Sequence, residues 1–555
     1  MARPFLTDEE LMVCVEAYYE NGGKKSEAAR SLNMANQTYL DRLTTAQERL
    51  GVEIHKVVAK GTLEPSTAEK LALPPKGEVK RYLMTSIQNN THLHPSFKDL
   101  VALKDYLNDL PDSTCDLIVG TFSYQLAAFG PKAVKRGTYK RMQKLETLWY
   151  DKTATPYIQD ENLELAPGLI WCGSMNILPT SKYPLTAFKS YNGRSSNIVP
   201  HSRIALESVA SLKNSATKMN YSTGTMTQIN YIQKQSGIVA EQAHQIGCVI
   251  AEVNHLGQWY VRQIEVGRDG SLMDIGPEGG SGICAKGGKV TEQKVTEVIT
   301  WADIHTVEME PWVREICWGK NGMLDTLGPE YQFMHDIFSM RSRSHHEMKS
   351  FHRTFEKFFH DEESVEDEVT LTANFLTEAC RDWVKTNIVP SNHDRHLERW
   401  LDDADFKHDP LNAKYYLHLQ WMILDAIEQN DVDFNVLEYA IMRVVEADLP
   451  GQDPNIYFMA LDEEYKVLGA EHGLHGDLGP NGSRGSTMSL KSLGMKVIKG
   501  HDHTATIKDR VFSVGVCSTS FNYTKGPGSH SVTHAVTYKN GSTALITMFD
   551  NRWRL

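Results

Sequence analysis

The sequence predicts a multidomain α/β protein, and three observations carry that expectation. A chain of 555 residues is long enough for three or four domains at roughly 100–200 residues each. From residue 81 onward, short apolar runs alternate with helical patterns, whereas the first 55 residues read as helix only. The composition, 41% hydrophobic and 23% charged, excludes the collagenous, coiled-coil and wholly disordered classes. Eight cysteines lie far apart with no C-x-x-C pair, which argues against a zinc ribbon or a disulfide framework and for a reducing compartment. The sequence shows no apolar run long enough to span a membrane and no signal-peptide core at its start, so the expectation is a soluble cytoplasmic protein.

The helical module is read as 1–55. Residues 7–21 open on a Thr cap with an acidic first turn and stop at Gly22-Gly23, the start and stop signals of a helix. A second helix over Lys25–Leu32 and a third from Ala35 to Leu50 follow a tight turn at Asn33-Met34. That spacing resembles helix-turn-helix modules, in which small Ala28 and Ala29 let two helices cross and Asn36, Gln37, Thr38 and Arg42 face DNA. A three-helix packing module that touches only protein is the alternative.

Residues 56–80, with Gly61, Pro65 and Pro74-Pro75, read as a linker. An apolar run at Tyr82–Ile87, a helical pattern over Pro95–Leu110 and a run at Asp116–Thr121 give β-α-β. Further strand-like runs at Leu169–Cys172, Ile204–Val209, Cys248–Val253 and Trp259–Val266 complete a separate central α/β domain over 81–290. Within it Lys135, Arg136, Lys140 and Arg141 belong to a basic stretch around Tyr139, which reads as a phosphate-neutralising patch or a solvated helix face. The glycine-rich segment after Gly276 lacks the Gly-Lys-Ser/Thr of a phosphate loop and reads as a flexible junction.

The net charge of -12 argues against a polyanionic partner until it is divided. It is -1 over residues 1–80, +3 over 81–300 and -14 over 301–555, and sixteen of the 22 histidines also lie after residue 281. In that half, apolar runs end in clusters of metal-compatible side chains: Asp303-Ile-His305, Asp336, Asn392-His393-Asp394, and His501-Asp-His503, with Glu471-His-Gly-Leu-His475 before the last. Loops at one edge of neighbouring strands are where an α/β protein gathers a site. The helical stretches between them, Glu347–Lys385 and His396–Ala447, suit packing or subunit contact.

The ordered series D-x-H, Asp, N-H-D, H-G and G-H-x-H resembles the calcineurin-like metallophosphoesterase superfamily over residues 295–555. The resemblance implies an αββα sandwich catalytic domain and a two-metal phosphoesterase. Carried over, Asp303, His305 and His503 would hold one divalent cation, Asn392, His475 and His501 a second, and Asp336 would bridge them. His393 would serve the leaving oxygen, with Asp394 orienting its ring. His472 competes with His475, and His475 is preferred because it precedes Gly. Oxygen and imidazole ligands without a thiolate suit Mn, Mg, Fe or Zn, with Mn the choice from the nuclease branches. The sequence departs from the usual pattern at His335 and Ser391, where glycine is usual, and at Ser339, near the place of an Asp.

Arg341, Arg343, His346, Arg395 and Arg484 are candidate substrate contacts, able to clamp a phosphate oxygen or to form salt bridges instead. The whole arrangement looks like large phage-encoded metallophosphoesterases of the kind with which T-five-like bacteriophages degrade host DNA early in infection. That implies a Mn-dependent deoxyribonuclease in the infected bacterial cytoplasm, acting on DNA, homo-oligomeric and with other phage early proteins as candidate partners. A metallophosphatase or small-molecule phosphodiesterase with assembling N-terminal domains is the alternative reading, and a non-enzymatic DNA-binding regulator a third.

Overall fold

The computed structural model describes residues 6–21, 24–52, 68–124, 149–190, 193–212, 215–347, 350–518 and 525–555. They fall into two compact units, divided between Thr67 and Ala68.

The first unit holds three helices, Asp8–Glu20, Lys25–Ser31 and Asn36–Leu50. Thr7 starts the first through a reciprocal cap: its hydroxyl accepts from the Glu10 amide at 3.2 Å, and its own amide donates to the Glu10 carboxylate at 2.9 Å. Asn33 takes a left-handed φ of 58° in the expected turn. Ala28 and Ala29 are buried among Leu11, Cys14, Tyr18, Tyr39 and Leu43, and Tyr39 Oη donates to the Cys14 carbonyl at 2.8 Å. Asn36, Gln37 and Thr38 are exposed on the first turn of the third helix. Arg42 is half-buried and reaches back to Cys14, a packing contact rather than an outward one.

The second unit is mixed α/β with four sheets among the described residues. One has six strands in the order Ile456–Phe458, Lys385–Val389, Tyr331–His335, Thr296–Thr300, Thr533–Tyr538, Thr543–Thr547. Its first four strands run parallel, and the last two form a hairpin whose first strand, Thr533–Tyr538, lies antiparallel to Thr296–Thr300. Helices Pro311–Trp318, Val365–Ala379 and Val436–Asp448 cover it through Val313, Val369, Leu376, Ile441 and Val445.

A second, eleven-stranded sheet corrects the expected domain boundary at 290–295. The strand Thr506–Lys508 from the C-terminal half pairs antiparallel with His201–Val209 from the central region, with Ile507 opposite Leu206. The same sheet runs on through Lys218–Gly224, Ser196–Val199, Leu169–Cys172 and Asn162–Ala166 to Glu69–Lys70. Pairing satisfies backbone groups that a free edge would leave open, and Leu206, Phe512, Ile498, Ala535 and Leu545 share one core. Residues 81–290 are therefore no separate domain. The expected linker over 56–80 is partly built in as well, since Glu69 and Lys70 pair with Leu163 and Glu164; residues 53–67 lie outside the described set.

The β-α-β reading holds as strand Val79–Gln88, helix Phe97–Asp109 and strand Ser113–Phe122, the two strands paired in parallel. The glycine-rich segment is not a flexible junction. Ile283–Lys286 and Lys289–Glu292 form a hairpin that turns on Gly287 and Gly288, both at positive φ, and joins Leu272–Asp274 in a small sheet. Lys135, Arg136, Lys140 and Arg141 lie outside the described residues. Among the described residues no helix is long and apolar enough to cross a membrane.

Candidate metal centre

Five strand ends converge. Thr296–Thr300 leads to Asp303 and His305, Tyr331–His335 to Asp336, and Lys385–Val389 to Asn392, His393 and Asp394. From the larger sheet, Ala470–Glu471 leads to His475 and Lys496–Lys499 to His501 and His503. All five run out at their carboxyl ends, the edge at which open α/β sheets hold ligands.

The side chains meet closely. Asp336 Oδ2 lies 3.3 Å from His475 Nε2 and 3.5 Å from His305 Nε2. Asp303 Oδ2 lies 3.5 Å from His503 Nε2, and the His305 and His503 Nε2 atoms are 3.1 Å apart. Asn392 Oδ1 is 3.0 Å from His501 Nδ1. Two groups offer ligand atoms all within 4.8 Å of one another, Asp303, Asp336, His503 and His305, Asp336, His393. Asp336 is common to both, which suits a bridging position. His393, expected to stay off the metal, has a ring nitrogen within 4.8 Å of both Asp336 and His305.

His472 does not join them. It is buried against Phe333, its ring stacked at 4.9 Å, with Nδ1 3.0 Å from Thr300 Oγ1. Geometry thus separates the two histidines of the Glu471–His475 segment in favour of His475.

The polar atoms are arranged for a cation. Asp303 Oδ1, both Asp336 oxygens and both His475 ring nitrogens are buried and form no hydrogen bond of good geometry. Native proteins leave few such atoms unsatisfied, and two buried carboxylates are costly without a counter-charge. Burial pushes Asp303 well up from the ordinary carboxylate range, with Asp336 adding repulsion, and lifts Asp336 to about 7. Burial also lowers His305 and His475, and takes His503 down to about 3, so these imidazoles are neutral and able to ligate. Oxygen and nitrogen donors on this pattern fit the divalent metals expected from sequence.

The backbone is strained here. His305, Asp336, His501 and His503 have φ of 47°, 48°, 73° and 53°, a region that residues other than glycine seldom visit and that clusters at functional sites. Gly500 lies among them for a steric reason. A Cβ there would sit 2.0 Å from Asp303 Oδ1 and 3.1 Å from His475 Nδ1.

Three residues about the centre escaped sequence reasoning as participants. Ser339 Oγ donates to Glu308 Oε2 at 2.8 Å and meets His305 Nδ1 at 3.1 Å. This chain turns His305 Nε2 toward Asp336 and fixes its tautomer. Burial lifts Glu308 to about 7. Lys499, fully buried, donates to the Gly500 carbonyl at 2.7 Å and pairs with Asp502 at 2.9 Å beneath the histidine loop. A lysine closing an apolar strand was the available signal.

Asp394 departs from its expected role. Its Oδ1 accepts from the Phe338 amide at 3.2 Å, while His393 Nδ1 has no hydrogen-bond partner. Asp394 therefore ties the loop after Asp336 and acts on the imidazole through charge. Burial raises Asp394 to about 7.

Of the expected substrate contacts, Arg343 is corrected to a structural role. Its guanidinium grips both Asp409 oxygens at 2.6 and 2.8 Å and Glu363 at 3.2 Å. Arg395 pairs with Asp477. Arg341 binds Glu362 at 2.9 Å and borders a cavity of about 570 Å3 that opens onto His305, His393, His396 and His346. Arg484 is exposed.

No protein-family model and no solved structure matches this chain. A curated protein does: Protein A1 of Escherichia phage T5 is 35% identical over 480 residues, covering 84% of this chain and 81% of its own length.

Proposed function

The chain belongs to the family of Protein A1 of Escherichia phage T5, and from that premise we propose that it is a phage-encoded, metal-dependent phosphodiesterase of calcineurin-like type that hydrolyses DNA. The observation that carries this reading is the convergence of Asp303, His305, Asp336, His475 and His503, in which Asp303 Oδ1, both Asp336 oxygens and both His475 ring nitrogens are buried without a hydrogen bond of good geometry. Asp303, His305 and His503 would hold one cation and Asn392, His475 and His501 another, with Asp336 between them. Two divalent ions, Mn by preference, would supply the charge that polarises a phosphodiester and makes water nucleophilic at neutral pH.

The chain's own residues do the rest. The Glu308–Ser339 pair holds the His305 ring, and Gly500 leaves room for Asp303. His393 borders both the centre and the cavity with Nδ1 unengaged, placed to give a proton to the leaving oxygen. Burial lowers its pKa while the charges of Asp394 and Glu308 oppose that fall. Arg341 and His346 border the path of substrate. Asn36, Gln37 and Thr38, with the basic stretch at Lys135, Arg136, Lys140 and Arg141, would hold DNA outside the centre.

One observation favours a smaller substrate. Glu308, Glu310, Glu347, Glu356 and Glu362 line the cavity against Arg341, Arg353 and Lys357, an acidic wall that disfavours a polyanion at that point. A small-molecule phosphodiesterase or a phosphatase is the second reading. Incubation of the purified chain with Mn and plasmid DNA, beside a nucleotide monoester, decides between them. Nicked or linear DNA that His393→Ala no longer produces supports the nuclease, whereas monoester turnover with intact plasmid supports the alternative.

A further inference from the structure

The paired strands His201–Val209 and Thr506–Lys508 carry a concentration of charge away from the metal centre. Between them and residues 182–185 runs a narrow cleft of about 20 Å3, room for one water-sized group and not for a base or a sugar. Two acids stand in it, each held between two cations. Glu207 lies 3.4 Å from Lys508 and 3.7 Å from Lys189. Asp509 accepts from Arg203 Nη1 at 2.9 Å and pairs with Lys491. Lys182 is a fifth cation in the lining. Its ammonium sits 5.3 Å, and that of Lys491 5.8 Å, from the centre of the Tyr183 ring, which attracts both. Five cations thus share two acids, in a chain whose net charge is -12.

Arg203 shows what the surplus serves. It is 4% exposed, and Asp509 takes its Nη1, but Nε and Nη2 are buried and form no hydrogen bond of good geometry. Native proteins leave few such donors unsatisfied. Those two groups form one edge of the guanidinium, the edge that grips two oxygens of a phosphate or carboxylate at once. Arg262 uses that same edge on Asp274, at 2.9 and 2.8 Å. In the cleft no protein carboxylate fills it.

We propose that this cleft holds one backbone phosphate of the DNA strand, with Arg203 as its fork and the four lysines as the surrounding field. The proposal rests on the reading that DNA is what the chain binds. Position supports it. Thr506 follows His503 by three residues and Asp509 by six, so Asp509 lies within roughly 20 Å of His503 by chain length. That is about six nucleotide steps along one strand, so a strand engaged at the metals can rest a neighbouring phosphate here. Such a contact sets register and reads no sequence, which suits a cleft too narrow for a base.

The test is binding of a fluorescent oligonucleotide, long enough to reach from the metal centre to the cleft, to the full chain in chelator. Anisotropy is read over a series of salt concentrations, and no turnover occurs. Arg203→Lys, which keeps the charge while removing the fork, should weaken binding about 10-fold. Lys182→Gln/Lys189→Gln, at two exposed positions, should lower the slope of log affinity against log salt by about 1.5. The second variant carries the test alone if circular dichroism shows that the first does not fold. Wild-type affinity and slope in the folded variants overturn the proposal even where plasmid is cleaved in Mn, as does a wild type that binds no oligonucleotide at low salt. Binding that the variants weaken, beside plasmid left intact in Mn, supports the cleft and overturns the nuclease reading instead. Should inorganic phosphate raise the melting temperature of the wild type but not of Arg203→Lys, while both bind the oligonucleotide alike, the cleft takes free phosphate and the DNA assignment falls.

Discussion

Two clusters of buried charge lie in the same compact unit and are built on opposite principles. Arg81, Glu252 and Arg262, on the paired strands Val79–Gln88, Gly247–Asn254 and Trp259–Glu265, and Asp274, on the strand Leu272–Asp274 of the small sheet beside them, are all nearly inaccessible. Arg262 binds both Asp274 oxygens at 2.9 and 2.8 Å and Glu252 at 2.7 Å; Arg81 binds the other Glu252 oxygen at 3.0 Å. Cation and anion balance, the donors are engaged, and Arg262 is held well above its ordinary pKa. At the strand ends, Asp303 and Asp336 are equally buried but meet neutral histidines; Asp303 Oδ2 accepts from the His501 amide at 2.7 Å, while Asp303 Oδ1 and both Asp336 oxygens form no hydrogen bond of good geometry. One cluster is closed upon itself and stabilises the strands that carry it. The other, left open, has Lys499 as its nearby cation and no matched ion pair of this kind, as the proposed cation site requires.

The contrast is sharpest if each cluster loses one charge. Asp336→Asn should abolish metal-dependent hydrolysis, a loss of several orders of magnitude, while the metal-free protein melts no lower than wild type, because a buried carboxylate has been removed. A variant that keeps activity would break the comparison. Arg262→Met should do the reverse and cost about 3–5 kcal/mol in denaturant unfolding, since it strands Glu252 and Asp274 without a counter-charge.

Metal affinity reports on the surroundings of the open cluster. Gly500→Ala, with a Cβ 2.0 Å from Asp303 Oδ1, and Ser339→Ala, which frees the His305 ring, should each weaken Mn binding by roughly 10–100-fold in calorimetry. Unchanged affinity in Gly500→Ala would mean that Asp303 is no ligand.

The two clusters also differ in pH response. Asp336, Asp394 and Glu308 are each raised to about 7. A raised carboxyl favours the folded state fully below its unfolded pKa of about 4 and loses that contribution as pH rises through about 7, up to about 1.4 kcal/mol per pH unit and group. Buried histidines such as His335 and His503, lowered to about 3, act in the opposite sense up to and through their unfolded value of about 6.5, so the carboxyl contribution is read as a difference from a variant that keeps them. In chelator, the stability of the wild type relative to Asp336→Asn should therefore fall as pH rises from about 5 to 7.5. Saturating Mn should flatten that fall; a fall of equal size with Mn would refute the assignment of these groups to a cation site. The smallest effect is expected at Arg484→Ala, on an exposed loop: stability within about 0.5 kcal/mol of wild type, with any change confined to KM.

Much of the open cluster was legible because its signals are local. A short apolar run followed by Asp, His or Asn at fixed spacing marks a strand end, and Asp303, His305, Asp336, Asn392, His393, His501 and His503 all fall at such ends. The helices of the first unit were legible for the same reason, through the Thr7 cap and small Ala28 and Ala29. The relation between Thr506–Lys508 and His201–Val209 was not, because a period-2 pattern tells which face a strand buries and nothing about its neighbour. Arg343 shows the same limit at one residue. Near the site in sequence, it is claimed by Asp409, 66 positions away.

What the sequence determined by itself is the chemistry on offer: oxygen and imidazole donors without thiolates, distributed over five strand ends, and an acidic C-terminal half. What the tertiary structure decided is which of those donors meet. It set His475 beside Asp336 and His472 against Phe333, closed Arg343 into an ion pair, and ran one sheet through two regions that composition had kept apart. The physical reason is that side-chain type and local spacing are properties of a few neighbouring residues, whereas burial, and with it the fate of every charge, depends on contacts across hundreds of them.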